Sequence, residues 1–272
     1  LIGQAISGPL GQQVVVENRG GSSVIPGEIV VNAAPDGYTL LFASSSLWLA
    51  PLIQKTSYDP VRDLAPISLI DRAPNILVVH PSLPVRSVKE LIALAKARPG
   101  ELNYSSSGIG TSLHLAGELF KSMAGVNVVH IAYKGSGQSM NALLSGEVHL
   151  SFATATSVGP HLKAGRLKPL AVTTAEPTPL LPGLMTVAAA GLPGYEAAST
   201  DGVFAPSKTP AAIIERLNQE IARAINRPDV KEKFLNTGVE MIGSGPEQFA
   251  AAIKSEVSRM GKVIRDAGIR AD

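Results

Sequence analysis

The segment Asn103–Phe120, NYSSSGIGTSLHLAGELF, places three serines, two glycines and a threonine ahead of an amphipathic helical pattern. Gly108 and Gly110 open backbone conformations closed to other residues, so that successive N–H groups can face one way. Thr111 or Ser112 can cap the helix. The first helical turn leaves N–H donors unpaired and carries about half a positive charge. That combination suits an anion. A nucleotide phosphate fits poorly, because a P-loop would place Lys before the Ser or Thr, and none is present. A dinucleotide fingerprint would need a third glycine where Leu113 stands. Gly-x-Ser-x-Gly, the nucleophile elbow, occurs nowhere in the chain. A Ser–His pair of Ser107 with His114 is conceivable, which keeps a hydrolase as the alternative, but no acidic orienter is placed by the sequence. A small carboxylate is the remaining reading.

Two further apolar runs end in small polar residues. YTLLFAS ends in Ser44, Ser45 and Ser46, and VHLSFAT ends in Thr154, Ala155, Thr156 and Ser157. In α/β sheets ligands lie outside the carboxyl ends of the strands, so such exits would deliver hydroxyls and accessible N–H groups to one edge. Ser and Thr are also ordinary loop and capping residues, and that plainer explanation has equal weight. Metal chemistry has little support. The five histidines are spread singly and the chain has no cysteine, which also excludes a disulfide framework and a thiolate nucleophile. No cofactor is expected.

Composition narrows the classes further. Aromatic residues are 4% and the formal charge is +2 with scattered Lys and Arg, which argues against nucleic acid as a partner. Hydrophobic residues are 45%, enough for a sizeable core, and no apolar run is long enough to span a bilayer.

Strand and helix patterns alternate, as expected of α/β layers with mostly parallel sheets. QQVVVEN, YTLLFAS, ILVVHP, ELNYSS, VNVVHIAY, VHLSFAT, LKPLAVTT and DGVFAPS read as strands. Helices are expected over residues 26–33, 112–123, 138–145, 158–164 and 210–225, and from Pro228 and Pro246 onward. A further helix runs from a Ser87 cap to Ala97, with Glu90 completing a capping box. LIGQAIS reads as the later part of a helix without its own cap, so a first strand and loop are expected upstream of Leu1.

QQVVVENR, APDGYTLLFAS, YDPVRDLAPISLI, SSGIGTSLHLAGELF, AYKGSGQSMNALLSGEVHLSF and GVFAPSKTP, in that order over essentially the whole chain, closely resemble the Bug family. These are periplasmic solute-binding proteins of tripartite tricarboxylate transporters. The resemblance implies a two-domain, type II periplasmic-binding-protein-like fold with two mixed, mostly parallel sheets and a hinge of two crossing strands. One lobe would comprise residues 1–74 and 203–272, the other 75–202, with a ligand cleft between them. It implies a non-enzymatic, monomeric receptor that takes a small organic acid and hands it to membrane transporter subunits, or to a sensor.

The ligand residues so implied are Ser44, Ser45, Ser46 and Trp48 on the first lobe. On the second they are Ser106, Ser107, Gly108, Gly110, Thr111, Ala153, Thr154 and Thr156, with Asp201 at the hinge. Backbone N–H and hydroxyl dipoles would hold the carboxylates without an arginine. Three departures from the family pattern stand out. Its Pro- and Gly-rich loop after the first strand would precede Leu1. Ala153 stands where many members have Asp, which disfavours an α-amino acid ligand. Asp201 stands where members often have an aromatic; it would repel a second carboxylate or recognise a hydroxyl or amine, unless it is a solvated hinge residue. Trp48 could wall an aromatic acid or simply pack.

Overall fold

The computed structural model describes residues 1–19, 24–236 and 238–270. The chain divides into two compact units. The first comprises Leu1–Arg72 and Thr200–Gly261; the second comprises Ala73–Ser199 and the residues from Lys262 onward. The chain passes between them after Arg72, after Ser199 and within its last helix.

The first unit opens with α1 (Ile2–Leu10), α2 (Val24–Val31), β1 (Leu41–Ser44), α3 (Ser46–Ile53) and β2 (Leu64–Ala73). In the second unit follow β3 (Asn75–Val79), α4 (Val88–Ala97), β4 (Asn103–Ser106), α5 (Ser112–Ala124) and β5 (Val129–Ala132). It continues with α6 (Ser136–Ser145), β6 (Leu150–Thr154), α7 (Ala155–Lys163), β7 (Lys168–Val172) and the single turn α8 (Val187–Ala190). The chain then returns through β8 (Ser199–Pro206), α9 (Ala211–Ile225), α10 (Pro228–Asn236), β9 (Glu240–Met241) and α11 (Pro246–Asp266).

The first sheet has the order β1-β8-β2-β9 and the second β5-β4-β6-β3-β7. In the second, β4 pairs in parallel with β5 and β6, whereas β3 is antiparallel to both β6 and β7. Four of its five strands therefore share one direction, and β3 is inserted against them. In the first sheet β1–β8 and β2–β9 are antiparallel. The sheets are mixed, with a smaller share of parallel pairing than the alternation of elements suggested.

Each unit has its own core. In the first, Ile214, Leu217, Ile221, Ala224 and Ile225 form one stripe of α9 and pack on Ile67, Ile70, Val203 and Ala205 of β2 and β8. In the second, Ile76 and Val78 of β3 meet Met140, Leu143, Val148, Val158 and Val172. All five residues of β3 are buried, so NILVV lacks the alternation of a one-faced strand. Each such aliphatic side chain contributes roughly 1.5–3 kcal/mol by leaving water.

Two segments depart from the sequence reading. QQVVVEN forms no strand: Val15 and Val16 are 78% and 73% exposed, in irregular chain without a ladder. A strand is stable only where a neighbour takes up its backbone N–H and C=O groups, and none lies beside this run among the described residues. Conversely, β2 is ten residues long although Pro66 and the charged pair Asp71-Arg72 interrupt its apolar pattern. The Ser87 cap is as expected, its Oγ accepting from the Glu90 N–H at 3.2 Å, while the Glu90 carboxylate accepts from the Arg86 N–H.

Candidate functional site

The loop between β4 and α5 is built from the residues the sequence singled out, but several of its groups point inward. Ser106 is fully buried, and its Oγ lies 2.7 Å from His130 Nε2. That oxygen also accepts from the Gly108 N–H at 3.2 Å. Gly110 adopts φ 75°, open chiefly to glycine, and its N–H donates to His114 Nδ1 at 3.0 Å. Thr111 caps α5: its Oγ1 accepts from the His114 N–H at 3.4 Å and donates to the Gly108 carbonyl at 2.8 Å. The Gly108 and Gly110 amides, expected to face an anion, both have acceptors within the loop. The amides of Ile109, Ser112 and Leu113 have no internal acceptor among the described residues, and Ile109 is exposed. They are the donors this loop leaves over. Ser107 is half-buried at the same turn, its carbonyl accepting from Gly135 N–H.

Beneath the loop lies a polar cluster that sequence reasoning did not assemble. The rings of His114 and His130 stack with centroids 3.9 Å apart, and Tyr104 lies 4.8 Å from His130 on its centroid. Tyr104 O–H donates to Glu118 Oε1 at 2.7 Å, and Lys121 Nζ donates to both Glu118 oxygens. Burial first, then the Lys121 charge, lower the His114 pKa to about 4. His130 falls to about 4 as well, through burial and then His114, with Glu118 opposing. Both rings are therefore neutral near neutral pH. Burial, then Glu118, raise the Tyr104 phenol far above its ordinary range. Gly117 gives the ring its space, since a Cβ there would stand 2.3 Å from Tyr104 Cε2.

The expected Ser107–His114 pair does not form. His114 Nδ1 is occupied by the Gly110 amide, and in this loop the serine that meets a histidine is the buried Ser106, on His130, rather than Ser107 on His114. Among the described residues no group of three or more His, Asp or Glu could hold a metal ion, and no helix is long and apolar enough to cross a membrane.

The remaining expected residues of the second unit lie at the β6–α7 junction. Thr154 Oγ1 is 3.2 Å from Thr156 Oγ1 and donates to Ser157 Oγ at 3.1 Å. Thr156 is exposed. Ala153 is buried in the ladder opposite Ile76.

In the first unit, Ser44 ends β1 and its Oγ lies 2.7 Å from Ser46 Oγ. Ser45 is buried and its N–H donates to the Thr200 carbonyl at 2.9 Å. Trp48 is a core residue, 2% exposed, with Phe204 and Phe249 each 5.8 Å away on ring centroids. Its Nε1–H donates to Glu256 at 2.9 Å, which explains why an indole can be buried there. Its two aromatic neighbours are far away in sequence.

Asp201 is not a solvated hinge residue. It stands in β8 opposite Ser44 and faces Asp71 of β2. Burial, then the Asp201 charge, push Asp71 up to about 8, so Asp71 keeps a proton and donates it to Asp201. Burial also raises Asp201, and the hydrogen bond from Asp71 works against that. Asp71 is 4% exposed and its Oδ1 has no hydrogen-bond partner. Asp71 was missed in the sequence, where the only signal was an acid inside the apolar run ISLIDRAPNILVV.

The chain matches the model of the tripartite tricarboxylate transporter family receptor over residues 2–269. It is 39% identical over 267 residues to a protein encoded in the tcbD-tcbE intergenic region of Pseudomonas sp. strain P51, covering 97% of this chain and 80% of that one. It is 35% identical over 274 residues to BugT of Bordetella pertussis, covering 99% and 84%. Among solved structures, an R. palustris protein with adipate is 39% identical, with a TM-score of 0.82 over 99% of this chain and 91% of that one. The α/β architecture of two mixed sheets and the match over nearly all residues agree: this chain belongs to the tripartite tricarboxylate transporter receptor family, whose relatives include Bug-type solute-binding receptors.

Proposed function

We propose that this protein captures a small organic carboxylate in the periplasm and delivers it to a tripartite membrane transporter. The observation that carries the reading is the β4–α5 turn: a Thr111-capped helix whose Ile109, Ser112 and Leu113 amides have no internal acceptor. In this proposal those amides, with the hydroxyls of Ser107, Thr154 and Thr156, take one carboxylate. The paired hydroxyls of Ser44 and Ser46 at the end of β1 are further donors for a ligand. The shared proton of Asp71 and Asp201 tolerates a ligand hydroxyl or a protonated carboxyl better than a second full negative charge. The relative solved with adipate makes dicarboxylates the first class to test.

The test is calorimetric titration and thermal shift of the purified protein against a panel of straight-chain dicarboxylates including adipate, hydroxy acids and monocarboxylates. Ligand at about one hundred times its dissociation constant should stabilise the fold by about 2.7 kcal/mol. A panel in which no carboxylate stabilises the protein overturns the reading. Delivery to a permease is tested by ligand uptake in cells carrying the transporter with and without this receptor.

A further inference from the structure

We propose that His114 is the positioning residue of the ligand loop, holding the Gly108–Thr111 turn in its binding conformation through the Gly110 N–H that Nδ1 accepts. The inference rests on the function proposed for that loop and assigns the work to a side chain that does not itself meet ligand. Three observations converge on it. His114 sits inside α5 yet reaches back four residues, so one imidazole ties the helix to the turn before it. Its ring is buried and stacked at 3.9 Å on His130, which in turn meets Ser106, the serine that binds the Gly108 N–H. Two stacked rings therefore hold the two glycine amides, and the amides left over are those of Ile109, Ser112 and Leu113.

The device works with one form of the imidazole. Nδ1 can accept only while it carries no proton, and a neutral ring with its hydrogen on Nε2 meets that condition. Protonation would turn Nδ1 into a donor facing the Gly110 N–H, and the turn would open. The groups facing this ring are Glu118 and Lys121 on the same helix, His130 on β5 and Tyr104 on β4, with Tyr195 bonded to the Ala116 carbonyl. Glu118 Oε1 is 4.0 Å from Nε2 and is already engaged by Tyr104 and Lys121, so it gives the imidazolium little support. Burial and Lys121 oppose the charge as well.

Two substitutions separate positioning from packing. In His114→Asn the amide oxygen can occupy the place of Nδ1; in His114→Gln the polar atoms lie one bond further out and miss it. With adipate as the probe at about pH 7, Asn should bind within about twofold of the parent, while Gln should weaken by about fivefold or more, the worth of one hydrogen bond. As pH falls toward about 4, the parent should lose affinity relative to the Asn variant, which has no imidazole at this position to protonate. Equal losses in Asn and Gln, or no loss in Gln, would overturn the proposal. Amide exchange measured without ligand gives an independent readout. Gly110 N–H should be protected in the parent and in Asn, and exchange faster in Gln. If adipate and every other acid fail to bind the parent while this exchange pattern holds, the functional reading falls and the positioning role stands. If the parent binds and the exchange pattern is absent, the positioning role falls alone.

Discussion

Asp71 and Asp201 in the first unit and His114 and His130 in the second are both buried pairs of like titratable groups, yet they settle their burial differently. The histidines become neutral by losing a proton, and their ring nitrogens then hold one amide and one hydroxyl of the β4–α5 loop. The aspartates halve their charge by keeping one, and an oxygen of Asp71 remains without a partner. Burial drives both shifts, because an uncompensated charge away from water is more costly than a proton gained or lost. The lesson is that neutralisation alone does not make a group structural. The histidine pair serves its neighbours in the loop, whereas the acid pair is joined by the proton that Asp71 shares with Asp201.

The largest expected effects come from the two glycines that make room beside these pairs. A Cβ at Gly202, next to Asp201, would stand 2.1 Å from Phe249 Cζ, and one at Gly117 would stand 2.3 Å from Tyr104 Cε2. Gly202→Ala and Gly117→Ala should each destabilise by about 1–3 kcal/mol or more in urea unfolding. Gly117→Ala should also disturb the histidine stack and hence ligand binding. A loss under about 0.5 kcal/mol for either would mean the rings move aside freely.

Next in size is the acid pair. The folded protein holds a proton on Asp71 up to about pH 8, whereas an unfolded aspartate releases it near its ordinary 3.8. The folded state binds more protons in that window, so stability is lost as pH rises from about 4 to about 8. Asp201→Asn should flatten this decline and stabilise the protein by roughly 1–3 kcal/mol near the upper end of the window. An unchanged pH profile in Asp201→Asn would show that the two carboxyls do not share a proton.

The histidine pair has the opposite sign. Its pKa values near 4 lie below the ordinary 6.5, so the unfolded chain binds more protons in between. Stability present above about 6.5 is lost as pH falls toward 4. His114→Asn should shallow this acid limb by up to one proton, measured as the slope of unfolding free energy against pH. The smallest effect belongs to Trp48→Phe, which keeps the aromatic packing and removes the Nε1–H bond to Glu256. It should lose about 1 kcal/mol of stability and leave carboxylate affinity unchanged. A change in ligand affinity without loss of stability would return Trp48 to the binding surface.

Local chemistry was legible in the chain itself. Ser87 with Glu90 and Thr111 with the turn at Gly110 can be read from adjacent letters, because capping satisfies N–H groups within three or four residues. The ordered family motifs likewise gave the receptor class and the α/β layering. What lay out of reach were partnerships across long stretches of chain. QQVVVEN has the composition of a strand and lacks a neighbour to complete its ladder. Gly108 and Gly110 looked like donors for an anion, and only the packing of α5 and β5 showed that Ser106 and His114 already accept from them.

Residue types and short spacings thus determined where helices start, which loop bends and which chemistry is excluded, since these depend on backbone sterics and nearby hydrogen bonds. The tertiary structure alone decided that Asp71 faces Asp201, that His114 stacks on His130 and that Trp48 is enclosed by Phe204 and Phe249. The physical reason is common to all three. A side chain's charge and its free hydrogen-bonding groups depend on which distant elements the sheet register and helix packing bring against it, and that environment is a property of the folded chain.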